Sequence, residues 1–272
     1  MCLIIASPTG DRIDPALIKE GARSNDDGIG FAWKQGSYVH WCKGFMDTDK
    51  AIEEIAKIPA GAPHAVHLRS ATHGGVRPEL THPFPVTDSV GLNLQGRAST
   101  LLMHNGVYTS WQSDLKAAIL SSGLKCPPGP WSDTRAVAFL VNVHGHQILN
   151  IIGDSSRWLV FTAAEEGMFM YGSWHKWNNL MFSNMSSNIA FPPGSGYAAA
   201  SVSRPPMPPA VQGAGAGVTT VSAQRTITAS ASNTQSSTTA ATGVATKAAV
   251  WKHFDEQGLF AGADRVGCGT CE

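Results

Sequence analysis

Residues 65–78, Ala65-Val66-His67-Leu68-Arg69-Ser70-Ala71-Thr72-His73-Gly74-Gly75-Val76-Arg77-Pro78, decide how this chain is read. An apolar run that ends on an arginine breaks at once into a glycine-rich, proline-closed segment. That is the pattern of a strand handing over to a loop. A guanidinium presented at a strand end suits bidentate capture of a carboxylate, and two adjacent glycines give the loop freedom to close over a ligand. Taken alone, an arginine beside a loop is more readily a solvated surface group. The stretch gains meaning from what surrounds it.

Working outward, the punctuation favours many short strands and a few helices. Gly28-Ile29-Gly30-Phe31-Ala32-Trp33 and Tyr38-Val39-His40-Trp41-Cys42 flank the turn Gln35-Gly36 and read as a β-hairpin. Leu101-Leu102-Met103-His104, Ile148-Leu149-Asn150-Ile151-Ile152, Trp158-Leu159-Val160-Phe161, Met168-Phe169-Met170-Tyr171 and Leu180-Met181-Phe182 are further strand candidates. Helical spacing is expected over Pro15 to Glu20 with Asp14 as N-cap, Asp49 to Ile58, Asp114 to Ser121 closed by Gly123, and Thr134 to Asn142 behind Ser132-Asp133. Strands first, then helices between later strands, suggest two sheets with helices outside.

Composition narrows the function classes. The 272 residues and 43% hydrophobic content can build a sizeable core. Lys plus Arg and Asp plus Glu both number 20, so no net charge advertises a nucleic-acid or anionic-membrane partner. No apolar stretch approaches the roughly 18 residues that span a bilayer, and no secretory leader pattern opens the chain. A cytoplasmic location is the default expectation. The five cysteines Cys2, Cys42, Cys126, Cys268 and Cys271 are too few and uneven for a disulfide framework. After Phe191 the composition shifts abruptly. Residues 193–249 are dominated by Ala, Ser, Thr, Gly, Pro and Val, and read as a disordered low-complexity linker. Residues 2–192 are then the domain, and 250–272 a short C-terminal segment ending in Cys268-Gly269-Thr270-Cys271.

Three further pieces join the first. Cys2 opens the apolar run Leu3-Ile4-Ile5-Ala6, and loss of Met1 would make it N-terminal. An N-terminal cysteine carries nucleophile and base on one residue, because its α-amine, with an ordinary pKa of about 7.7 to 8.0, can take the thiol proton. The plainer alternative is a small buried residue at the start of a strand. At Met103-His104-Asn105-Gly106, an Asn side-chain amide beside a Gly backbone N–H can form a two-donor oxyanion hole, although Asn-Gly is also a turn signal. At Trp131-Ser132-Asp133-Thr134, a carboxylate stands at a helix start, where Ser132 or Asp133 would also serve as N-cap. Together they describe a substrate. Arg69 would hold an α-carboxylate, Asp133 an α-ammonium, and Asn105 with Gly106 an oxyanion, while Cys2 attacks the carbonyl between them. Such a substrate is an amino acid with a side-chain amide.

The chain resembles the glutaminase domain of class II glutamine amidotransferases, a branch of the N-terminal nucleophile hydrolases. HLRSATHG at residues 67–74 is similar to the HTRWATHG pattern of the hexosamine-phosphate synthase branch, His104-Asn105-Gly106 to the family's HNG, and Ser132-Asp133-Thr134 to its SDT. Asn25 to Gly30 is similar to its DG-x-G turn and Thr81-His82-Pro83 to its histidine-proline step. The resemblance covers residues 2 to about 184 and implies an α+β fold, a four-layer αββα sandwich. It implies hydrolysis of L-glutamine to glutamate and ammonia through a Cys2 thioester, with no cofactor and no metal. Cys2, Asn105 and Gly106 would be catalytic, and Arg69, Thr72, His73, Gly74, His82 and Asp133 would bind substrate. Because a low-complexity stretch stands where multidomain relatives carry a synthase, a separate synthetase is expected to accept the ammonia. The sequence departs from the family at Ser70, which replaces a tryptophan, at Arg135, which replaces a glutamate after SDT, and by an apparent insertion around Gly91 to Gly96.

Two other readings stay open: a non-catalytic binding or assembly module that keeps the fold, and an N-terminal nucleophile hydrolase acting on another amide. The sequence leaves oligomeric state open as well. His67, His73, His82 and His104 fall inside the family motifs and lack helical metal-ligand spacing. The terminal CxxC would need two further ligands to hold zinc.

Overall fold

The computed structural model describes residues 2–152, 155–164, 167–184 and 198–200. The chain opens with β1 (Leu3–Ser7) and α1 (Pro15–Ala22), then β2 (Ile29–Gln35), β3 (Tyr38–Phe45), α2 (Thr48–Ile55) and β4 (His64–Leu68). After a 3-10 turn at Pro78–Leu80 come β5 (Phe84–Pro85), β6 (Gln95–Ala98), β7 (Thr100–Asn105), α3 (Trp111–Ser122) and α4 (Asp133–His144). A second 3-10 turn at His146–Asn150 leads to β8 (Arg157–Thr162), β9 (Met168–Tyr171), β10 (Trp174–Trp177), β11 (Leu180–Phe182) and β12 (Ala198–Ala200).

Local signals set the element ends. Asp14 accepts the Ala16 N–H at 2.8 Å to cap α1, whose first residue is Pro15. Gly123 closes α3 in the left-handed region, at φ 70°. Ser132 caps α4 by accepting the Arg135 N–H at 3.2 Å. β2 and β3 pair from Gln35↔Tyr38 back to Ile29↔Phe45 across the expected turn.

All strand pairs are antiparallel and fall into two sheets, β12-β10-β11-β1-β4-β2-β3-β6 and β5-β7-β8-β9. Alternation along each strand builds three apolar layers. Leu3 and Ile5 of β1 and Val66 and Leu68 of β4 face α1 and α2, where Ile18 and Ile55 meet them. Ile4, Ala6 and Ala65 face inward against Leu101, Met103, Leu159 and Phe161 of the smaller sheet. Leu102, Trp158 and Val160 turn outward onto Leu115 of α3 and Val137 and Phe139 of α4. The result is the expected four-layer αββα sandwich. Each fully buried Leu, Ile or Phe in these layers stabilises it by about 1.5–3 kcal/mol.

The structure departs from expectation at Ile148 to Ile152 and in the bounds of α2 and α3, the latter starting at Trp111 rather than Asp114. Ile148 to Ile152 is not a strand: the segment follows Gly145 and coils as a 3-10 turn that buries Leu149 on the α4 layer. α2 begins one residue earlier than expected, at Thr48 behind the Asp47 cap, and ends three residues sooner, at Ile55. The apparent insertion is partly ordered as β6, an edge strand on β3 with Cys42↔Gln95 and Trp41↔Gly96 in register. Most of the stretch read as a linker, 193–249, and all of 250–272 lie outside the described residues. Ala198–Ala200, within it, pairs with β10. Among the described residues, no helix is long and apolar enough to cross a membrane.

Candidate active site

β1 and β4 run antiparallel with Leu3 opposite Leu68. One step further along both strands, Cys2 and Arg69 emerge at the same end of the larger sheet. There they meet Asn105 at the end of β7, Gly106 just beyond it, and Asp133 at the start of α4. A cleft is lined by Cys2, Arg69, Ser70, Thr72, His73, His82, His104, Gly106 and Asp133, with Ser132 and Thr134 behind. It includes every residue singled out from the sequence except Gly74 and Asn105. Gly74 lies in the same loop at φ 78°, and a Cβ there would stand 2.8 Å from the Trp131 carbonyl oxygen. Only glycine lets the loop pass so close to the start of α4.

The Cys2 sulfur is buried and lies 3.4 Å from both the Ser70 N–H, which it accepts, and the Ser70 carbonyl, to which the thiol donates. Burial pushes the thiol up from its ordinary value, opposed by the Ser70 N–H and the Arg69 guanidinium. The resting group is therefore a thiol, and attack on a carbonyl needs a base.

Arg69 is buried and organises the glycine-rich loop. Its Nη1 donates to the Gly75 carbonyl at 2.8 Å and its Nη2 to the His73 carbonyl at 2.9 Å. Asp27 fastens the same segment, accepting the Ala71 N–H at 2.7 Å while its own N–H donates to the Arg69 carbonyl at 3.0 Å. The early Asn25 to Gly30 turn thus holds the loop beside Cys2.

Asp133 faces the cleft with its side chain 7% exposed. Its Oδ2 accepts the Tyr108 N–H at 3.1 Å and stands 3.7 Å from His73 Nδ1, ion-pair distance but too long for a hydrogen bond. Burial pushes this carboxyl up, yet the His73 and His104 rings and the Tyr108 N–H outweigh it and hold the group below its ordinary value. The same carboxylate raises the His73 pKa against the opposing effect of partial burial.

A buried histidine array adjoins the cleft, with His82 and His104 lining it. His67 and His82 lie with ring centroids 3.9 Å apart, and His67 Nε2 is 3.0 Å from the His104 carbonyl. His82 Nδ1 accepts the His104 N–H at 3.3 Å. Burial lowers His67 to about 3 and His104 to about 4, and pushes His82 well below its ordinary value, so all three are neutral near pH 7. His104 stacks on Trp158 at 3.6 Å and sits 3.0 Å from Ser156 Oγ and 3.1 Å from Thr134 Oγ1. A Cβ on Gly106, at φ 154°, would lie 2.4 Å from Ser156 Oγ and 2.8 Å from His104 Nε2. These rings position backbone and neighbours; no group of His, Cys, Asp and Glu side chains among the described residues is arranged to hold a metal.

Asn105 points between the sheets. Its Nδ2 donates to Ser183 Oγ at 2.9 Å, and the same hydroxyl accepts the Ile4 N–H at 2.8 Å. Asn184 Nδ2 donates to the Cys2 carbonyl at 2.5 Å. Ser183 and Asn184 thus tie Cys2 and β1 to Asn105. Sequence reasoning used them only to mark where the resemblance ends.

Arg135 and the segment around Gly91 to Gly96, both singled out in the sequence, lie close together. Arg135 is buried at the start of α4, where its Nε donates to the Val90 carbonyl at 3.0 Å, its Nη1 to that of Pro130 at 2.9 Å and its Nη2 to that of Pro128 at 2.8 Å. It also stacks on Trp131 at 4.3 Å. The guanidinium therefore straps the inserted segment and the approach to α4 around the residues that present Asp133.

No family model matches the chain, and no curated protein matches it. Among solved structures, the allosteric regulatory enzyme of purine biosynthesis is similar at 20% identity and a TM-score of 0.48, over 67% of this chain and 41% of that one. Glutamine phosphoribosylpyrophosphate amidotransferase from B. subtilis, complexed with ADP and GMP, is similar at 16% identity and a TM-score of 0.47, over the same shares. The chain spans about two fifths of the length of each, 41%.

Proposed function

We propose that the chain hydrolyses the side-chain amide of L-glutamine to glutamate and ammonia. The observation that carries this reading is the convergence of Cys2, Arg69, Gly106 and Asp133 on one cleft, so that a guanidinium and a carboxylate both line it. Arg69 has five N–H donors and gives two to the loop carbonyls, so others remain for an α-carboxylate. Asp133, already ionised beside His73, accepts the α-ammonium.

With Met1 removed, the Cys2 α-amine takes the thiol proton as sulfur bonds to the δ-carbon, and the carbonyl electron pair moves onto oxygen. Gly106 N–H and the second N–H of the Asn105 amide stabilise that oxyanion. As the pair returns, the C–N bond breaks and the protonated amine gives its proton to the leaving ammonia. Water then attacks the thioester, losing a proton to the same amine, and glutamate leaves with the thiol restored. Thr72, His73, Gly74 and His82 shape and close the substrate side of the cleft.

A separate synthetase, in the same cytoplasmic compartment, consumes the ammonia. Exposed Val76 and Val107, next to Gly75 and Gly106 at the cleft, are consistent with a protein surface docking there. The test is glutamate and ammonia release by purified protein. Asn105→Ala should raise the barrier by about 3 kcal/mol while the fold persists, and Cys2→Ala should abolish turnover. Equal rates in parent and Asn105→Ala would contradict the oxyanion assignment.

A further inference from the structure

Between α1, α2 and the larger sheet lies a second pocket, of about 130 Å³, whose mouth is formed by the exposed Arg12, Asp14, Pro15, Ala56 and Pro59. It lies at the far ends of the two strands that build the cleft. Leu3 pairs with Leu68 beside Cys2 and Arg69, whereas Ser7 pairs with His64, which lines the cavity. Ile13, Ile18, Ile55 and Ile58 form its walls and are all buried. Side chains of this kind normally interdigitate until no such space remains, because protein interiors pack as densely as organic crystals. An aliphatic-walled space near this size is large enough to admit a benzene-sized molecule.

The polar groups around it narrow the ligand. Arg12 and Asp14 both line the cavity, but each is engaged with backbone: Arg12 Nη1 donates to the Ala56 carbonyl at 3.0 Å and Asp14 accepts the Ala16 N–H at 2.8 Å. Their charges are opposite, so neither a cation nor an anion is selected. His64 differs. It is 4% exposed, and its Nδ1 lies 2.8 Å from the Ala62 carbonyl. A carbonyl only accepts, so Nδ1 holds the proton. Burial disfavours a second proton against the Ala62 carbonyl, which favours one, with Arg12 opposing and Asp11 assisting to smaller degrees. The ring is therefore neutral and its Nε2 is an acceptor, with no hydrogen-bond partner among the described residues.

We propose that this cavity binds a small neutral molecule with a compact apolar body of phenol or indole size and one N–H or O–H that donates to His64 Nε2. The site is independent of the chemistry at Cys2, and either can fail without the other.

Titration of the full chain with indole and with 1-methylindole, followed by calorimetry and by NMR, tests it. Indole is expected to bind about fivefold more tightly, the worth of one neutral hydrogen bond. His64→Leu should bind both compounds alike. Ile52→Phe, which fills the cavity from α2, should lose both, and Ala56→Leu at the exposed end of that helix is a second filler should the first not fold. The proposal is overturned by absence of binding at millimolar probe, by a preference for indole that survives His64→Leu, or by binding unchanged in a folded filler variant.

Discussion

Ser183 holds Asn105: the serine hydroxyl accepts the asparagine amide N–H at 2.9 Å while also accepting the Ile4 N–H at 2.8 Å. One oxygen, just past β11, thus ties the chain to β1, which follows Cys2, and to the proposed oxyanion donor. An Asn amide has two N–H groups at a fixed angle, so fixing one directs the other. Ser183→Ala leaves buried donors unpaired and should cost about 1–3 kcal/mol of stability. If Ser183 positions Asn105, kcat for glutamine hydrolysis falls while KM changes little. A purely structural role would lower the melting temperature and leave kcat per folded molecule unchanged.

His73 and Asp133 face each other at 3.7 Å and shift one another in opposite directions. Histidine's folded-state value is raised, so its contribution is fully present below its unfolded value and disappears as pH rises through the folded one. The carboxyl's value is lowered, so its contribution is present above the unfolded carboxylate value and is lost as pH falls through the folded one. The pair therefore stabilises the fold in the mildly acidic window between them. His73→Gln should lower the melting temperature most in that window and least above neutral pH, as followed by thermal melts across pH.

Lys43 stands on the inner face of β3 with its ammonium 4.0 Å from the Phe84 ring and no hydrogen-bond partner among the described residues. Burial lowers its pKa to about 7, assisted by Arg135 and opposed by Glu79. The unfolded chain binds the proton more tightly, so stability rises with pH from about 7 to the ordinary lysine value near 10.4. Lys43→Met should be the more stable protein by an amount on the order of a few kcal/mol at pH 7, with the gap closing towards pH 10. Denaturant melts at the two pH values measure it.

Gly106 adopts φ 154°, and its missing side chain leaves room for Ser156 and His104. Gly106→Ala should displace the Ser156–His104 contact and cost about 1–3 kcal/mol. The backbone N–H beside Asn105 would be re-aimed, so hydrolysis should fall further than stability does. Kinetics at a temperature where the variant is fully folded separate the two effects.

Local chemistry made much of the fold legible. The Gln35-Gly36 turn, the Asp14-Pro15 start, the Gly123 stop and the Ser132 cap act within a few residues of the elements they bound. Ile148 to Ile152 misled because a short apolar run has no period that separates strand from buried turn. Gln95–Ala98 is not legible as a strand because an edge strand needs no apolar face, and its Gln, Gly and Arg give little strand signal. Within the site, Cys2, Arg69, Gly106 and Asp133 stood out through motifs, whereas Ser183 lies 179 residues from Ile4 and no local pattern joins them. Lys43 had a signal that went unused: it shares the two-residue period of the inward Val39 and Trp41.

The most direct measurement is intact-protein mass spectrometry before and after exposure to a diazo-ketone analogue of glutamine, with peptide mapping of any adduct. Loss of Met1 and one stoichiometric adduct on the Cys2 sulfur, blocked by excess glutamine, is the expected result. A retained Met1 with no adduct on Cys2 would contradict a glutamine-specific N-terminal nucleophile and favour a non-catalytic module on the same fold.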